Sequence, residues 1–579
     1  MRKRLSLLGL VMAFVMVFSV GVSASWNQYQ GSDTHVGTIT DVAPLTSSLG
    51  TLADTDSHVG LPALNYSGSG WSGVDTTPVM EVFNNNTYAY VIYNGFSNGA
   101  QLSRINCADN SVTSLRLSIQ GSFQLSTPYL DTAAGTIYVA AGNYYNILAN
   151  NEFATTGSWG LPSGVTIDTA DESVTVPAGK TISQTFNYAL SSSSKTQLTS
   201  GIKLVSGTSA TVTYTLTKPD GTSVTLATQD VTSTDTWTYL EELGSGDVHA
   251  TGDYTISVAV TGGTVKLDYV TYSRQTSGIS AVDRNLTTKT PVGGTEKSGQ
   301  INTPVMKYGN YIYYGTYNGG YKYYQVYVGA TGNGHTYGDM KVFTGNNHFY
   351  WAGAIRVTVN GTNYIVFGGD GGYLYCTPEA NFGDSTATKV YNLSTLGSVT
   401  AGNVRSSISS DGTYIYFTSQ GGYLWRVPIA DIGTTSPSFE KVGLKVPSLS
   451  SCTSTSTPAI SSNDKIYVGY YSGFTAGGVR AVDADTFALI DNVTTGLCSG
   501  FPVQSSIVVY SDGDDDYIYF TTNSSGGAGY CYQVSTTSSP VSATMNWRTS
   551  DGTYTLQGMA ACNGYLTFGN DHNKFYVIH

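Results

Sequence analysis

Apolar and polar residues alternate with a period of two along most of this chain, and the alternation comes in two kinds. In "ESVTVPAGKTISQTFNYAL", "SATVTYTLTKPDGTSVTLATQDV" and "GDYTISVAVTGG" it runs through Thr and Val, with "PDG" at Pro219 to Gly221 as a hairpin turn between two strands. Elsewhere it runs through Tyr, in a unit that recurs. Each unit reads as a strand opening near "TP", a Gly/Asn/Asp turn, a Tyr-rich strand, a Gly-containing turn and a third strand. Successive residues of a strand face opposite sides, so both kinds predict half-buried sheet. Long helical runs of Ala, Leu, Glu and Lys are missing, and the class is all-β.

The Tyr-rich unit is clearest in "NTPVMKYGNYIYYGTYNGGYKYYQVYVG" from Asn302, "RSSISSDGTYIYFTSQGGYLWRVPIADIG" from Arg405 and "STPAISSNDKIYVGYYSGFTAGGVRAVDADT" from Ser456. Related segments start at Thr77, Ser126, Ala352, Pro502 and Gly558, about 46 to 55 residues apart with one exception. Short antiparallel units at that period predict a β-propeller, here of eight blades. The last copy ends on its third strand, "KFYVIH". An outermost strand from within "VGTITDVAPLTSSLGTLAD" is expected to complete it, so that the N- and C-termini share the closing blade and no sheet edge is left open.

The exception is the stretch from Ser126 to Asn302. A second strand ends at Asn143, and its third strand, "GISAVDRN" from Gly278, matches "GVRAVDAD" from Gly478. Residues 144–277 are therefore expected to be a β-sandwich of the jelly-roll kind, inserted between the second and third strands of blade 2. The propeller then occupies residues 25–143 and 278–579. In a four-stranded blade that loop opens on the face that carries the connections between blades, so the insert is expected over or beside that face.

Residues 1–24, "MRKRLSLLGLVMAFVMVFSVGVSA", have a basic start, an apolar run and a small-residue end, the pattern of a signal peptide cleaved after Ala24. The run falls short of a membrane span, and the expected destination is extracellular or the cell surface. Formal net charge is -12 for the whole chain and becomes about -15 once Arg2, Lys3 and Arg4 are removed, which disfavours a nucleic-acid partner. The six cysteines contain no CxxC pair, so a zinc ribbon is excluded. Cys452 and Cys498 precede equivalent segments and are candidates for a disulfide between repeats, with buried free thiols the competing reading.

Through "TPV", "YIYYGT", "GGYLW", "RAVDADT" and "WNQYQGSDTHVG", the repeats resemble the pyrroloquinoline-quinone-like (quinoprotein-like) propeller family, whose motifs specify fold better than activity. The insert, with "NNEF" and Trp159 at its start and "KLDYVTY" at its end, resembles jelly-roll carbohydrate-binding modules. The quinone-dependent alcohol dehydrogenases imply adjacent cysteines, a Trp platform and a Glu/Asn/Asp calcium set. No two cysteines here are adjacent and the calcium set has no match, so the quinone cofactor and redox catalysis are disfavoured. The resemblance of the insert also implies a structural calcium held by Glu152 and Asp268.

Catalytic chemistry finds no foothold elsewhere. The histidines form no HxxxH or HExxH pair, and the acids mostly occupy turns, where paired carboxylates cannot be chosen by spacing. "SDGDDDY", ending at Tyr517, reads as a solvated hairpin turn. Flat rings recognise sugars through the apolar C–H side of the pyranose. Trp159, Trp237 and Tyr239 are the ligand candidates, the last two on one side of a strand in "DTWTYL", with core packing the alternative for each. Trp351, Trp425 and Trp547 are expected to pack between blades. In the leader, Trp26 is expected to anchor the chain to the closing blade, with His35 and His58 in turns.

The expected function is that of a secreted or cell-surface, non-catalytic binding or scaffold protein. It would recognise polysaccharide or an envelope protein through the insert and the adjacent propeller face. The alternatives are a quinone-dependent or glycan-active propeller enzyme, and a structural component of a surface assembly.

Overall fold

The structure is a computed structural model. It describes residues 25–52, 58–60, 73–74, 76–94, 100–117, 126–188, 195–245, 250–292, 300–317, 320–332, 334–550, 554–571 and 574–579. The expected signal peptide, His249, His572 and residues 53–57 lie outside these. About half of the chain is strand and almost none is helix, and no helix among the described residues is long and apolar enough to cross a membrane.

Among the described residues, eight units of four antiparallel strands follow one another, some extended by added strands and the second continuous with a larger sheet. The first holds Val79–Phe83, Asn86–Asn94, Ala100–Asn106 and Val112–Arg116, and the eighth holds Ala560–Cys562, Tyr565–Gly569 and Lys574–Ile578. The fourth strand of the eighth comes from the N-terminal part of the chain. His58–Gly60 runs antiparallel to Lys574–Tyr576, while Gly50–Leu52 pairs in parallel with Trp547–Thr549 of the seventh sheet. The completing strand therefore lies beyond the stretch expected to supply it, in the "SHVG" that read as a turn. Three residues are too short for periodicity to mark them as strand.

Apolar side chains join each sheet to the next. One buried cluster links the first and second sheets through Tyr90, Ile92, Leu130 and Val139, and others continue pair by pair around the series. A last cluster joins the seventh, eighth and first through Tyr519, Trp547, Phe568, Phe575, Met80 and Val91. The succession thus closes on itself. Trp425 and Trp547 pack inside these clusters as expected, whereas Trp351 is only half-buried and lines a small cavity.

The leader threads this ring in sheet order. Ser25–Trp26 adds to the inner edge of the first sheet opposite Met80 and Glu81. The Leu130 amide of the second sheet donates to the Asn27 carbonyl at 2.7 Å, and the Ser410 amide of the fifth to Thr34 at 2.8 Å. The Ile460 amide of the sixth donates to Val36 at 2.9 Å, and Val509 of the seventh exchanges backbone bonds with Gly37 and Ile39. Finally the Asn563 amide of the eighth donates to the Asp41 carboxylate at 2.6 Å. Trp26, 3% exposed, packs in the cluster that joins the seventh, eighth and first sheets. Its ring lies so close to Gly31, a residue at φ +75°, that any Cβ there would overlap the indole.

His35 is fully buried where the leader meets the third and fifth sheets. Its Nδ1 donates to the Ile408 carbonyl at 2.7 Å, which fixes the neutral tautomer, and Nε2 faces the Tyr308 hydroxyl at 3.1 Å. Burial lowers its pKa to about 4, against smaller opposing effects from Ile408 and Asp33. The unfolded chain therefore takes up a proton near pH 6.5 that the folded protein refuses until about pH 4. The stability this neutral histidine allows is present above pH 6.5 and falls as pH drops through that window, by up to about 3 kcal/mol. Denaturant unfolding of the wild type between pH 7 and pH 4 should show this loss, and His35→Gln should flatten the slope; equal slopes would contradict it.

Candidate functional site

Residues between the second and third strands of the second sheet build a separate sandwich. The five-stranded sheet orders as Thr166–Asp168, Ser173–Val176, Thr264–Asp283, Lys195–Ser206 and Thr238–Ser245. The four-stranded sheet orders as Thr181–Tyr188, Gly252–Thr261, Ala210–Thr217 and Ser223–Val231. One core lies between them, from Leu148 and Phe153 through Val212, Tyr214 and Ile256 to Tyr272. Its junction with the second sheet is continuous strand. Thr136–Asn146 pairs with Ser273–Asp283 residue for residue, so the ladder crosses both expected boundaries, at 143/144 and at 277/278, without a loop. On the outside, Arg116 of the first sheet meets Glu241 of the sandwich at 3.2 Å. Both side chains are exposed, so this contact orients more than it stabilises.

Trp159 belongs to the core and not to a binding surface. It is 6% exposed, its ring packs against Phe153 at 5.4 Å, and its Nε1 donates to the Asn150 carbonyl at 3.0 Å. That bond satisfies the one polar atom of the indole, and burial of the ring then follows from its area.

Trp237 and Tyr239 lie on the outward side of the five-stranded sheet. Ile202 pairs with Thr238 and is in the core, so its neighbours in register, Gly201 and Lys203, face outward. Tyr239 sits opposite Gly201 and is 67% exposed. Trp237 has the Lys203 ammonium 5.3 Å above its ring. On the far side of Gly201 stands Tyr269, half-buried, its ring 3.2 Å from where a Gly201 Cβ would be. Two phenol rings thus flank a strip of bare backbone. Gln197 donates to Glu241 at 2.9 Å along the same face. Burial raises the Tyr269 pKa, with Tyr239, Asp268 and Glu241 adding to the effect, and the phenol stays a neutral donor.

Tyr269 is the residue that sequence reasoning passed over. With strict alternation after Leu267 it would face the core, but the ladder slips between Gly201 and Ile202, leaving Asp268 as the extra residue of a β-bulge. The slip turns Tyr269 outward and Val270 inward. Its only trace in the sequence is the pair of apolar positions, Leu267 and Val270, spaced three apart.

Glu152 is exposed and Asp268 half-buried. The Val270 amide donates to the Asn151 carbonyl at 2.9 Å, which lays the 150–152 segment beside the bulge. Among the described residues no three His, Cys, Asp or Glu side chains gather as metal ligands, so backbone carbonyls would have to complete a calcium site at this pair. All six cysteines are free thiols. The candidate Cys452–Cys498 bridge is not formed and the competing reading, free thiols, holds: the Cys452 side chain lies against Gly422 of the fifth sheet while Cys498 pairs with Val479 in the sixth. Burial pushes the Cys452 thiol up to about 12 and raises Cys498 further. The "SDGDDDY" turn is less solvated than expected. Asp516 is fully buried and accepts hydrogen bonds from Tyr467, Ser511 and Asn463.

No protein-family model and no curated protein matches the chain. Solved structures are similar to parts of it. A putative 6-phosphogluconolactonase from Bacteroides fragilis is 10% identical over 80% of this chain and 93% of its own, with a TM-score of 0.32. A xylan-binding domain from Paenibacillus barcinonensis is 17% identical over 23% of this chain and 96% of its own, with a TM-score of 0.19. A carbohydrate-binding module solved with β-1,4-galactotriose is 14% identical over 22% of this chain and 99% of its own, with a TM-score of 0.18.

The two aromatic environments predict opposite behaviour. Trp159→Ala should destabilise the protein by about 3–5 kcal/mol, whereas Tyr239→Ala should stay within about 0.5 kcal/mol of wild type. Chemical denaturation of the two variants checks both.

Proposed function

We propose that this is an exported, non-catalytic saccharide-binding protein, a closed eight-bladed β-propeller that displays a jelly-roll module from its second blade. The observation that carries the reading is the outward face around Gly201, where Tyr239 and Tyr269 stand on strands and Trp237 directly precedes one. Neighbouring Lys203, Gln197, Glu241 and Asp268 supply hydrogen-bond donors and acceptors for sugar hydroxyls. Aromatic rings cover the apolar C–H side of a pyranose, and the polar groups around them set orientation. Nothing on this face pairs a nucleophile with a base, and the reading is of binding without turnover. The ring serves as a rigid mount, joined to the module by the continuous second-sheet ladder.

The test is isothermal titration of the full chain with neutral oligosaccharides of several linkages, beside pull-down on insoluble polysaccharides. Each ring removed should weaken binding about tenfold, so Trp237→Ala combined with Tyr239→Ala should bring it close to the detection limit. Undiminished affinity in that double variant, with its melting temperature unchanged, would overturn the proposal.

A further inference from the structure

Gly201 stands at the centre of the outward face of the sandwich, where the backbone has no need of a glycine. It lies inside the strand Lys195–Ser206 and its φ is not positive. Its neighbours on the same side, Thr199 and Lys203, carry full side chains, and a glycine in a strand interior costs stability. The reason for the missing side chain lies on the adjacent strand.

Gly201 is buried, although the side on which its Cβ would stand is the outward one. Such a Cβ would meet Tyr269 Cε1 and Asp268 Cβ, each at 3.2 Å, and the Asp268 carboxylate at 3.6 Å. Residues opposed on neighbouring antiparallel strands keep their Cβ atoms about 4.5–5.5 Å apart, and their side chains stand roughly perpendicular to the sheet. Tyr269, which is opposed to Gly201, departs from this: its ring reaches the space above Gly201 and so leans over the neighbouring strand. An upright ring offers a ligand its edge, whereas a leaning ring turns a face outward, and the face is what stacks on the C–H side of a pyranose. The lean runs toward Tyr239, which pairs with Gly201 from the strand beyond and is 67% exposed. The two rings share one row across the strands.

We infer that Gly201 is the positioning residue of the saccharide site: it gives the Tyr269 ring room to lie over the sheet, and so commits the site to a sugar chain lying flat across the strands, from Tyr269 to Tyr239. The inference rests on the saccharide reading above. Gly201 itself touches no sugar and acts through Tyr269. A methyl group at this position asks the ring to give by a few tenths of an ångström, whereas an isopropyl group fills the space and stands the ring upright. Strand propensity works in the opposite direction, since a β-branched residue suits a strand better than glycine. Loss of binding and loss of fold are therefore separable.

Isothermal titration of the full chain with the neutral hexaose that binds best in the screen above tests the inference, beside the melting temperature of each variant. Gly201→Val should weaken binding roughly tenfold, as much as Tyr269→Ala, and Gly201→Ala by a smaller factor. Because Gly201 acts through the ring, the two losses should not add, and Gly201→Val should cost nothing further in the Tyr269→Ala background. Should Gly201→Val fold poorly, Gly201→Ala alone and combined with Tyr269→Ala carries the same test. The inference is overturned if the glycine variants bind as tightly as wild type, or if their loss persists in full in the Tyr269→Ala background, which is the mark of a merely structural glycine. In both cases weakened binding in Trp237→Ala with Tyr239→Ala leaves the saccharide reading standing. A wild type that binds none of the oligosaccharides overturns that reading and this inference together.

Discussion

A ring of sheets has two sets of exposed backbone to satisfy, the inner edge of every sheet and the one junction where chain start and chain end meet. Both are met here by the same N-terminal segment. Residues 25–41 give and take hydrogen bonds with the inner strands of the first, second, fifth, sixth and seventh sheets and with the turn of the eighth. His58–Gly60 then closes the eighth sheet from outside. A buried amide without a partner costs as much as a lost hydrogen bond, so this segment is part of the core's hydrogen-bond inventory. It also fixes the floor of the axial opening, since Tyr29 is the leader residue that reaches it.

Closure also explains the electrostatics of the interior. Arg480 and Asp491, both fully buried in the sixth sheet, pair through two guanidinium nitrogens, and the Ala481 amide completes the carboxylate's partners. A single buried charge would be expensive, and the pair is tolerated because every polar atom is answered. Tyr467 with Asp516 and Tyr313 with Glu379 repeat the arrangement with a neutral donor. Tyrosine suits this architecture: Tyr90, Tyr313, Tyr416 and Tyr467 each bring a ring to the packing and a hydroxyl that reaches a carboxylate.

Much of the fold and part of the site were legible beforehand. The eight repeat starts each fall at or shortly before the first strand of a sheet, because the Tyr-rich second strand and its Gly turns recur with the period of the unit. The interrupted repeat, resuming with a recognisable third strand, marked where the extra strands enter, although the ladder of Thr136–Asn146 with Ser273–Asp283 runs through both expected bounds. Trp237 and Tyr239 read from the sequence as a same-side pair on a strand, whereas the strand starts at Thr238 and leaves Trp237 just before it. Trp159 read the same way in composition, yet lies in the core, since a lone tryptophan near a turn carries no sign of which sheet will cover it. Tyr269 was hidden by one extra residue, Asp268, which reverses the alternation on which strand reading depends.

Local chemistry therefore determined, from sequence alone, that the chain is all-β and that a Tyr-rich strand unit recurs along it. Those features depend on residues close together in the chain, and period and turn chemistry record them directly. Tertiary structure alone decided the route of the leader around the inner edges, the choice of His58–Gly60 as closing strand, the side on which Tyr269 emerges, and the meeting of Tyr29, Trp351 and Arg405 at the axial cavity. Each of these depends on partners up to about 500 residues apart, or on a single-residue slip of register, and neither leaves a periodic trace.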